Sequence, residues 1–389
     1  MGKINVAMIC KLMPLYRLGI FQELSSVTDD YHFDFFGDTI KKGGIEPIPY
    51  SYGNAKEGQK INWIRTKNYL YSSDKLLWQT GIIKQIFGSK YKVFVFEGAI
   101  GHLPIWLFAM LCRIKKKKVI YWTHGNRGLD RGIKKKMRIV FFKWLGNTIF
   151  LYGNYQRNIM IEDGYHPNKL QVIYNSLKPQ EQFDTLSEYQ KRGFKKSDLN
   201  IFKNPDHFTL IFIGRLAESK GIFKILEALI TLNKLNIMAN CIFIGDGKKK
   251  VEMVKICKAN NLTDQVHFTG ALYDEKDIAP FFMAADMMIS PGNVGLNCMH
   301  SLAYGVPVLT HDDFRYQNPE VEAIEDGVSG VFYKYGDDND MILKLKNWIV
   351  SDVSKKENIS NCQKVIKEIY NPQYQAKCMI AGLNKVLHE

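Results

Sequence analysis

Short apolar runs alternate with helical patterns along the whole chain, and this alternation restricts the fold more than any other feature. In the first 178 residues the predicted strands are 4–9, 31–36, 92–96, 118–123, 148–152 and 171–175. Strands that alternate with helices form βαβ units, in which parallel strands are covered by helices. The first part of the chain is therefore predicted to be a doubly wound α/β domain.

A second series of the same kind follows. Its predicted strands are 208–214, 239–245, 265–270, 286–290, 306–310 and 329–333. Residues 179–206, which are polar and contain two prolines, are predicted to be a linker. We expect an N-terminal domain over 1–178 and a C-terminal domain over 207–372, with a last helix at about 373–389 that packs back on the first domain. Ligands of such folds bind beyond the carboxyl ends of the strands, and two such domains facing each other are predicted to form a cleft.

The cysteines and the longest apolar run limit the compartment and the membrane topology. Seven cysteines are scattered without a CxxC pair, which argues against a disulfide framework or a zinc site and favours a reducing compartment, the cytoplasm. The longest apolar stretch, residues 103–112, is far shorter than the roughly 20 residues that span a bilayer. No transmembrane helix is predicted.

Positive charge is concentrated in residues 113–143. Twelve lysines and arginines stand here against one acidic residue, Asp130, in a chain with a net charge of +14. A basic segment interleaved with aromatic residues suits the surface of an anionic membrane, such as the inner face of the cell membrane. An ordinary amphipathic helix with solvated lysines is the second interpretation. Nucleic-acid binding ranks third, because no nucleic-acid-binding motif surrounds the segment.

Two cations follow the first strand of the second series, in "GRLAESKG". Gly214 allows a tight exit from the strand, and Arg215 and Lys220 then lie at the carboxyl end of the strand and the start of the next helix. Arginine binds phosphate as a fork and lysine as a point charge. The pair predicts a phosphate site, with plain surface charge on a turn as the alternative.

A glycine-rich segment without acidic residues, "SPGNVGLNCMHSLAYG", follows the fourth strand of that series. A helix is expected to begin near Gly295. Free N–H groups and the helix dipole would then stabilise a diphosphate. The predicted donor-binding backbone comprises four residues: Asn293, Val294, Gly295 and Leu296. Gly245, after the second strand, is interpreted as a place where a base or ribose approaches the backbone. His300 lies in the first turns of the helix, and from the residues alone a structural role is favoured for it.

The ordered motifs resemble a known family. The strings "GRLAESKG", "FIGDG", "VHFTGAL", "MAADMMISPG", "SLAYGVPVLT" and "EAIEDGVSGVFY" occur in the order and at the spacings of nucleotide-sugar glycosyltransferases with the GT-B fold. The chain is similar to glycosyltransferase family 4 over nearly all of the second series. The first domain matches less sharply, through "MPLYRLGIFQEL", "YWTHGNRG" and "VIYNS".

The resemblance implies retaining transfer from a nucleoside-diphosphate sugar without a metal or other cofactor, with Arg215 and Lys220 on the donor diphosphate. The family usually carries two glutamates, for the sugar and the ribose, and their positions here hold Gly292 and His300. His300 is kept as a candidate ribose ligand, since imidazole can hydrogen-bond a hydroxyl.

Glu322 matches another family acid. It is a donor-side candidate, with a ligand-free carboxylate at a helix N-terminus as the alternative. His124, after a strand of the first domain, matches a family histidine near the reacting sugar, and a purely structural role is equally favoured for it.

Acceptor-side candidates also come from the first domain. Tyr16 and Arg17 follow the first strand, and Glu97 ends a later one. The predicted function is a retaining glycosyltransferase that extends a glycan or lipid-linked acceptor in cell-surface polysaccharide biosynthesis. A nucleotide-sugar epimerase or phosphorylase of the same fold, and a non-catalytic nucleotide-sugar-binding protein, are the alternatives.

Overall fold

A computed structural model describes residues 2–26, 30–39, 46–54, 61–71, 76–351 and 355–388. The chain divides into two units, which are described separately. Unit 1 comprises Met1–Leu177 and Asn371–Glu389, and unit 2 comprises Lys178–Tyr370.

The elements are numbered in chain order. The strands are β1 Ile4–Leu12, β2 Tyr31–Asp38, β3 Trp63–Arg65, β4 Asn68–Tyr71, β5 Leu76–Gln79, β6 Val93–Glu97, β7 Lys118–Thr123, β8 Thr148–Leu151, β9 Leu170–Val172, β10 Phe208–Ile213, β11 Ala239–Ile244, β12 Val266–Gly270, β13 Met287–Ile289, β14 Val308–His311 and β15 Gly330–Tyr333. The helices are α1 Leu18–Ser26, α2 Ile82–Phe87, α3 Leu103–Ile114, α4 Gly132–Ile139, α5 Asn154–Glu162, α6 Gln180–Lys191, α7 Ile222–Lys234, α8 Lys250–Ala259, α9 Glu275–Ala284, α10 Leu296–Ala303, α11 Asp338–Ile349, α12 Lys355–Glu368 and α13 Pro372–His388.

Unit 1 is built on a seven-stranded sheet in the order β3-β2-β1-β6-β7-β8-β9, and every neighbouring pair is parallel. The chain proceeds outward from β1 to β3 and then returns to place β6 on the other side of β1. This reversal is a topological switch point, the position where doubly wound sheets bind ligands. The sequence did not predict β3 or the antiparallel pair β4 and β5.

Two hydrophobic clusters cover the two faces of this sheet. One contains residues of α1 and α13, for example Phe21 and Met379. The other contains residues of α2, α3 and the segment after α4, for example Ile82, Phe108 and Phe141. The C-terminal helix α13 thus belongs to the core of unit 1, where Gly382 approaches Phe150 of β8.

Unit 2 repeats the doubly wound plan. Its six parallel strands have the order β12-β11-β10-β13-β14-β15, so the switch point lies between β10 and β13. The prediction of two parallel α/β domains is confirmed. In the part of the chain that the structure describes, no helix is long and apolar enough to cross a membrane.

The prediction that residues 179–206 form a linker is wrong for the first half of this range. Gln180–Lys191 forms α6, which packs on α9. Gln182 and Leu186 are buried, and Phe183 is half-buried beside them. These residues lie at helical spacing, so α6 has an inner face despite its polar composition.

Candidate functional site

Lys220 and Asn293 span the switch point of unit 2. Lys220 ends a turn of 3₁₀ helix after β10, and Asn293 lies in the glycine-rich loop after β13. The Lys220 Nζ donates to the Asn293 Oδ1 at 2.6 Å and lies 3.4 Å from the Asn293 carbonyl oxygen. The cation is thereby held over the loop that the sequence predicts to bind a diphosphate.

Two glycines allow these loops to meet. Gly221 has a φ of +69°, and a Cβ there would lie 2.8 Å from the Cβ of Pro291. A Cβ on Gly292 would lie 2.8 Å from the Cα of Lys220. A side chain at either position would therefore push Lys220 away from Asn293.

The positive charges of Lys220 and Arg215 favour the binding of an anion. Burial and the neighbouring positive charge of Arg215 both lower the pKa of Lys220. Arg215 itself is exposed. Two cations at this edge repel each other until an anion arrives, so a phosphate group would be stabilised by both.

The glycine loop offers fewer free N–H groups than predicted. The Val294 N–H donates to the buried Gln317 Oε1 at 2.8 Å, and the Gly295 N–H donates to the Asn297 Oδ1 at 2.8 Å. Helix α10 begins at Leu296, and in its first turn the Cys298 N–H donates to the Gly295 carbonyl at 2.9 Å. The helix starts next to Gly295, as predicted, while the N–H groups of Val294 and Gly295 have partners within the protein.

Gly245 has a packing role between two strands of unit 2. A Cβ at this position would lie 1.9 Å from the carbonyl oxygen of Gly214, and its φ is +145°. The Gly214 N–H in turn donates to the Ile244 carbonyl at 2.9 Å. Gly245 is required because the ends of β10 and β11 pack against each other.

Unit 1 has a polar cluster at its own switch point. Arg17, in the 3₁₀ turn after β1, forms an ion pair with Glu97 at the end of β6, and its Nη2 donates to the Tyr152 hydroxyl at 3.2 Å. The guanidinium also lies 4.5 Å from the ring centroid of Trp122. The Lys11 N–H donates to the other Glu97 oxygen at 3.0 Å.

Two predicted acceptor residues are therefore partners of each other. The Arg17 and Glu97 side chains are only 13% and 22% exposed. Tyr16, in contrast, is exposed at the same edge. Tyr152 and Trp122 were not predicted; their positions at the ends of β8 and β7 were the available signal.

The comparisons with known proteins agree with this geometry. Residues 194–371, nearly all of unit 2, match the family model of glycosyl transferases group 1. The chain resembles the group 1 glycosyltransferases with the GT-B fold. It is 27% identical over 279 residues to an uncharacterised glycosyltransferase of Methanocaldococcus jannaschii. The aligned region covers 68% of this chain and 67% of that protein.

Two further similarities show how far the family likeness extends. The alpha-monoglucosyldiacylglycerol synthase of Acholeplasma laidlawii is 23% identical over 196 residues, and the chain spans about half (48%) of its length. The solved structure of HepE from Anabaena, in complex with UDP, superposes with a TM-score of 0.69 over 98% of this chain and 99% of that one, at 14% identity. The last similarity shows the fold alone.

His300 of this glycosyltransferase lies in an internal polar cluster. Its Nε2 lies 2.9 and 3.1 Å from the two oxygens of Glu275, which also accepts from the Tyr304 hydroxyl and from Gln182 Nε2 at 3.0 Å. Burial raises the pKa of Glu275, but the hydrogen bonds from His300, Tyr304 and Gln182 outweigh it and leave that pKa lowered. The structure thus assigns Nε2 of His300 to a carboxylate instead of a ribose. Glu275 was not singled out by the sequence.

Glu322 lies in the 3₁₀ turn Pro319–Ala323, after β14. The Asn318 that precedes this turn donates to the Val294 carbonyl at 2.7 Å. The turn is therefore tied to the glycine loop, and Glu322, half-buried, remains a donor-side candidate.

His124 follows β7 at the carboxyl edge of unit 1, and its ring centroid is 4.8 Å from that of Tyr152. The residue is exposed, yet the protein around the ring and the positive charges of Arg127 and Arg17 lower its pKa to about 4. The imidazole is therefore neutral at neutral pH and can donate one hydrogen bond and accept another.

We expect the His124 ring to remain unprotonated down to about pH 5, since its folded pKa lies below the ordinary value of 6.5. Over the interval between these two pKa values only the unfolded chain binds the proton, so His124 lowers stability as the pH falls through it. NMR titration of the ring proton, assigned with His124→Gln, measures this pKa. An inflection near pH 6.5 for that resonance would contradict the expectation.

Proposed function

We propose that this glycosyltransferase moves a sugar from a nucleoside-diphosphate sugar to a glycan or lipid-linked acceptor in the biosynthesis of a cell-surface polysaccharide, with retention of the anomeric configuration and without a metal ion. The observation that carries the proposal is the Lys220 ammonium, held over the glycine loop at the switch point of unit 2 beside Arg215. We further propose that the enzyme works in the cytoplasm and has a hexosyl donor.

Charge neutralisation is the proposed source of catalysis. As the bond from the sugar C1 to the diphosphate breaks, negative charge grows on the leaving phosphate oxygen. Arg215, Lys220 and the first N–H groups of α10 would stabilise that charge. The acceptor hydroxyl would attack C1 from the face that the phosphate leaves, and the departing phosphate would take the hydroxyl proton.

The acceptor is assigned to unit 1. Tyr16 is exposed and neutral His124 offers both a donor and an acceptor atom at the same sheet edge. Arg17 would orient Glu97 through their ion pair, so these two residues are proposed to shape the acceptor side together. The ribose hydroxyls are assigned to groups other than Nε2 of His300, with Glu322 kept as a donor-side residue.

UDP is the first nucleoside diphosphate to test, because the structural neighbour HepE was solved with UDP. We expect UDP or another nucleoside diphosphate to raise Tm by several degrees, since a ligand at about 100 times its Kd adds about 2.7 kcal/mol of stability. The shift should disappear in Arg215→Ala. A thermal scan with UDP, GDP, ADP and CDP, in which none shifts Tm, would contradict the donor proposal.

A radiolabelled donor separates transfer from the alternative chemistries. Transfer predicts product only when an acceptor is added, with the anomer read by NMR. Conversion of the donor sugar without an acceptor would indicate an epimerase, and phosphate-dependent release would indicate a phosphorylase. Tight binding with no product would indicate a binding protein.

A further inference from the structure

Helix α3 has an apolar stripe on its outer face. Leu103, Leu107, Met110 and Ile114 are 53%, 40%, 49% and 71% exposed, respectively. Their spacing of four, three and four residues places them on one side of the helix, over a length of about 16 Å. The opposite side of α3, which includes Phe108, is buried in the core.

The segment from α4 to Leu145 has a second stripe with the same spacing. Ile133, Met137, Val140 and Trp144 are 77%, 42%, 47% and 73% exposed, respectively. Helix α4 contains no buried residue, and a π-helical segment, Val140–Leu145, continues it. These side chains thus contribute little to the fold of unit 1.

The two stripes lie on the same side of the sheet. Phe108 of α3 and Phe141 of the π-helical segment belong to one hydrophobic cluster, and the rings of Trp106 and Phe141 are 4.7 Å apart. Because α3 and the π-helical segment both bury their inner faces in this cluster, their outer faces point away from it. We name the eight exposed side chains together the two-stripe surface.

Positive charge borders the two-stripe surface. Lys116, Lys136 and Lys143 are exposed, and they lie one or two residues along the chain from Ile114, Met137 and Trp144. The one acidic residue of 113–143, Asp130, is already paired with Lys134 and Arg138. An apolar area with a basic border is complementary to a surface that is anionic outside and hydrocarbon inside.

We propose that the two-stripe surface docks on an anionic lipid bilayer, with both helices lying in the interface. The stripes would enter the boundary between headgroups and acyl chains, while lysine stems lie along it and place their ammonium groups among the phosphates. The sequence had indicated the basic segment 113–143; the structure adds α3 and the shared orientation of both elements. This inference goes beyond the proposed function and does not depend on the donor.

Flotation with vesicles tests the proposal. The full chain should float with vesicles of phosphatidylcholine and phosphatidylglycerol in equal amounts, and less with phosphatidylcholine alone. Binding should weaken as salt rises. The double substitution Ile133→Ser and Trp144→Ser, and separately Leu107→Ser with Ile114→Ser, should each lower partitioning about tenfold or more.

Val251→Ser is the matched control, because Val251 is an exposed aliphatic residue (68%) on a helix of unit 2. It should float like the wild type, and all variants should keep the wild-type circular dichroism and the wild-type thermal response to nucleoside diphosphates. Failure of the wild type to bind anionic vesicles, or equal binding by the double variants, would overturn the proposal. Lipid-free dimers that the double variants abolish, without vesicle binding by the wild type, would overturn it in favour of a second copy of the chain.

Discussion

Replacing Lys220 with alanine is expected to lower kcat for sugar transfer by about 100- to 1,000-fold, the usual cost of removing one preorganised group that stabilises charge in a transition state. The Nζ of Lys220 is held at 2.6 Å by Asn293 and lies close enough to Arg215 for its pKa to be lowered. Because that repulsion is relieved when a diphosphate binds, the lysine contributes most when the leaving phosphate gains charge.

The fold should survive this substitution. One half-buried hydrogen bond to Asn293 is lost, which costs about 1 kcal/mol, and the repulsion with Arg215 is removed. Initial rates of nucleoside-diphosphate release measure kcat, and chemical unfolding measures stability. Lys220→Arg should recover part of the rate because it keeps the charge, whereas Lys220→Gln should not.

Lys234→Ala is the control for this experiment, since Lys234 is an exposed lysine at the end of the helix that follows Lys220. It should turn over at the wild-type rate. Turnover within about twofold of the wild type in both Lys220→Ala and Arg215→Ala would contradict the assigned roles, because cleavage of the bond from the sugar C1 to the phosphate oxygen cannot lose its two cations and keep its rate.

Apolar runs were sufficient to predict most strands of both sheets. Runs such as 208–214 and 239–245 are buried on both faces, and their lengths and flanking glycines distinguish strand from helix. Short edge elements were missed: β3 has three residues, two of them exposed. Helix α6 was missed because its composition is polar, although the spacing of Gln182, Phe183 and Leu186 gives it an inner face.

The positions of the two cations of the candidate site could be predicted from the sequence, whereas its hydrogen bonds could not. Arg215 and Lys220 could be assigned from position, because a loop after a parallel strand reaches the binding edge of the sheet. The partner of Val294 could not, since Gln317 is more than twenty residues from Val294 in sequence. The packing role of Gly245 was missed for the same reason: the atom that excludes a side chain there is the carbonyl oxygen of Gly214.

His300 provides the second large expected effect, on stability. We expect His300→Ala to lower the free energy of unfolding by about 2–3 kcal/mol. A hydrogen bond to a charged group typically contributes about 1.5–3 kcal/mol, and the bonds to Glu275 from Tyr304 and Gln182 remain. Denaturant unfolding gives the free energy, with His388→Ala, at an exposed position of α13, as the control.

The free energy of unfolding that His300→Ala loses should depend on pH in a defined direction. Since the folded pKa of Glu275 is below its ordinary value of 4.5, its contribution is present above about pH 4.5 and is lost as the pH falls through the folded pKa. The difference in stability between the wild type and His300→Ala should therefore shrink in acid. A constant difference at all pH values would contradict the charged state assigned to Glu275.

Donor affinity distinguishes this structural role from the ribose role that the sequence suggested. The cluster joins α6, α9 and α10 through Gln182, Glu275 and His300, and the proposed diphosphate donors lie about one helical turn before His300, at the start of α10. Below the unfolding transition, titration calorimetry with the nucleoside diphosphate should give His300→Ala a Kd within about threefold of the wild type. A tenfold or larger loss of affinity at unchanged stability would instead mean that the imidazole contacts the ribose. In that case Glu275 would be the residue that orients a ligand-binding histidine, because its carboxylate holds the Nε2 side of the ring and leaves only Nδ1 to face a hydroxyl.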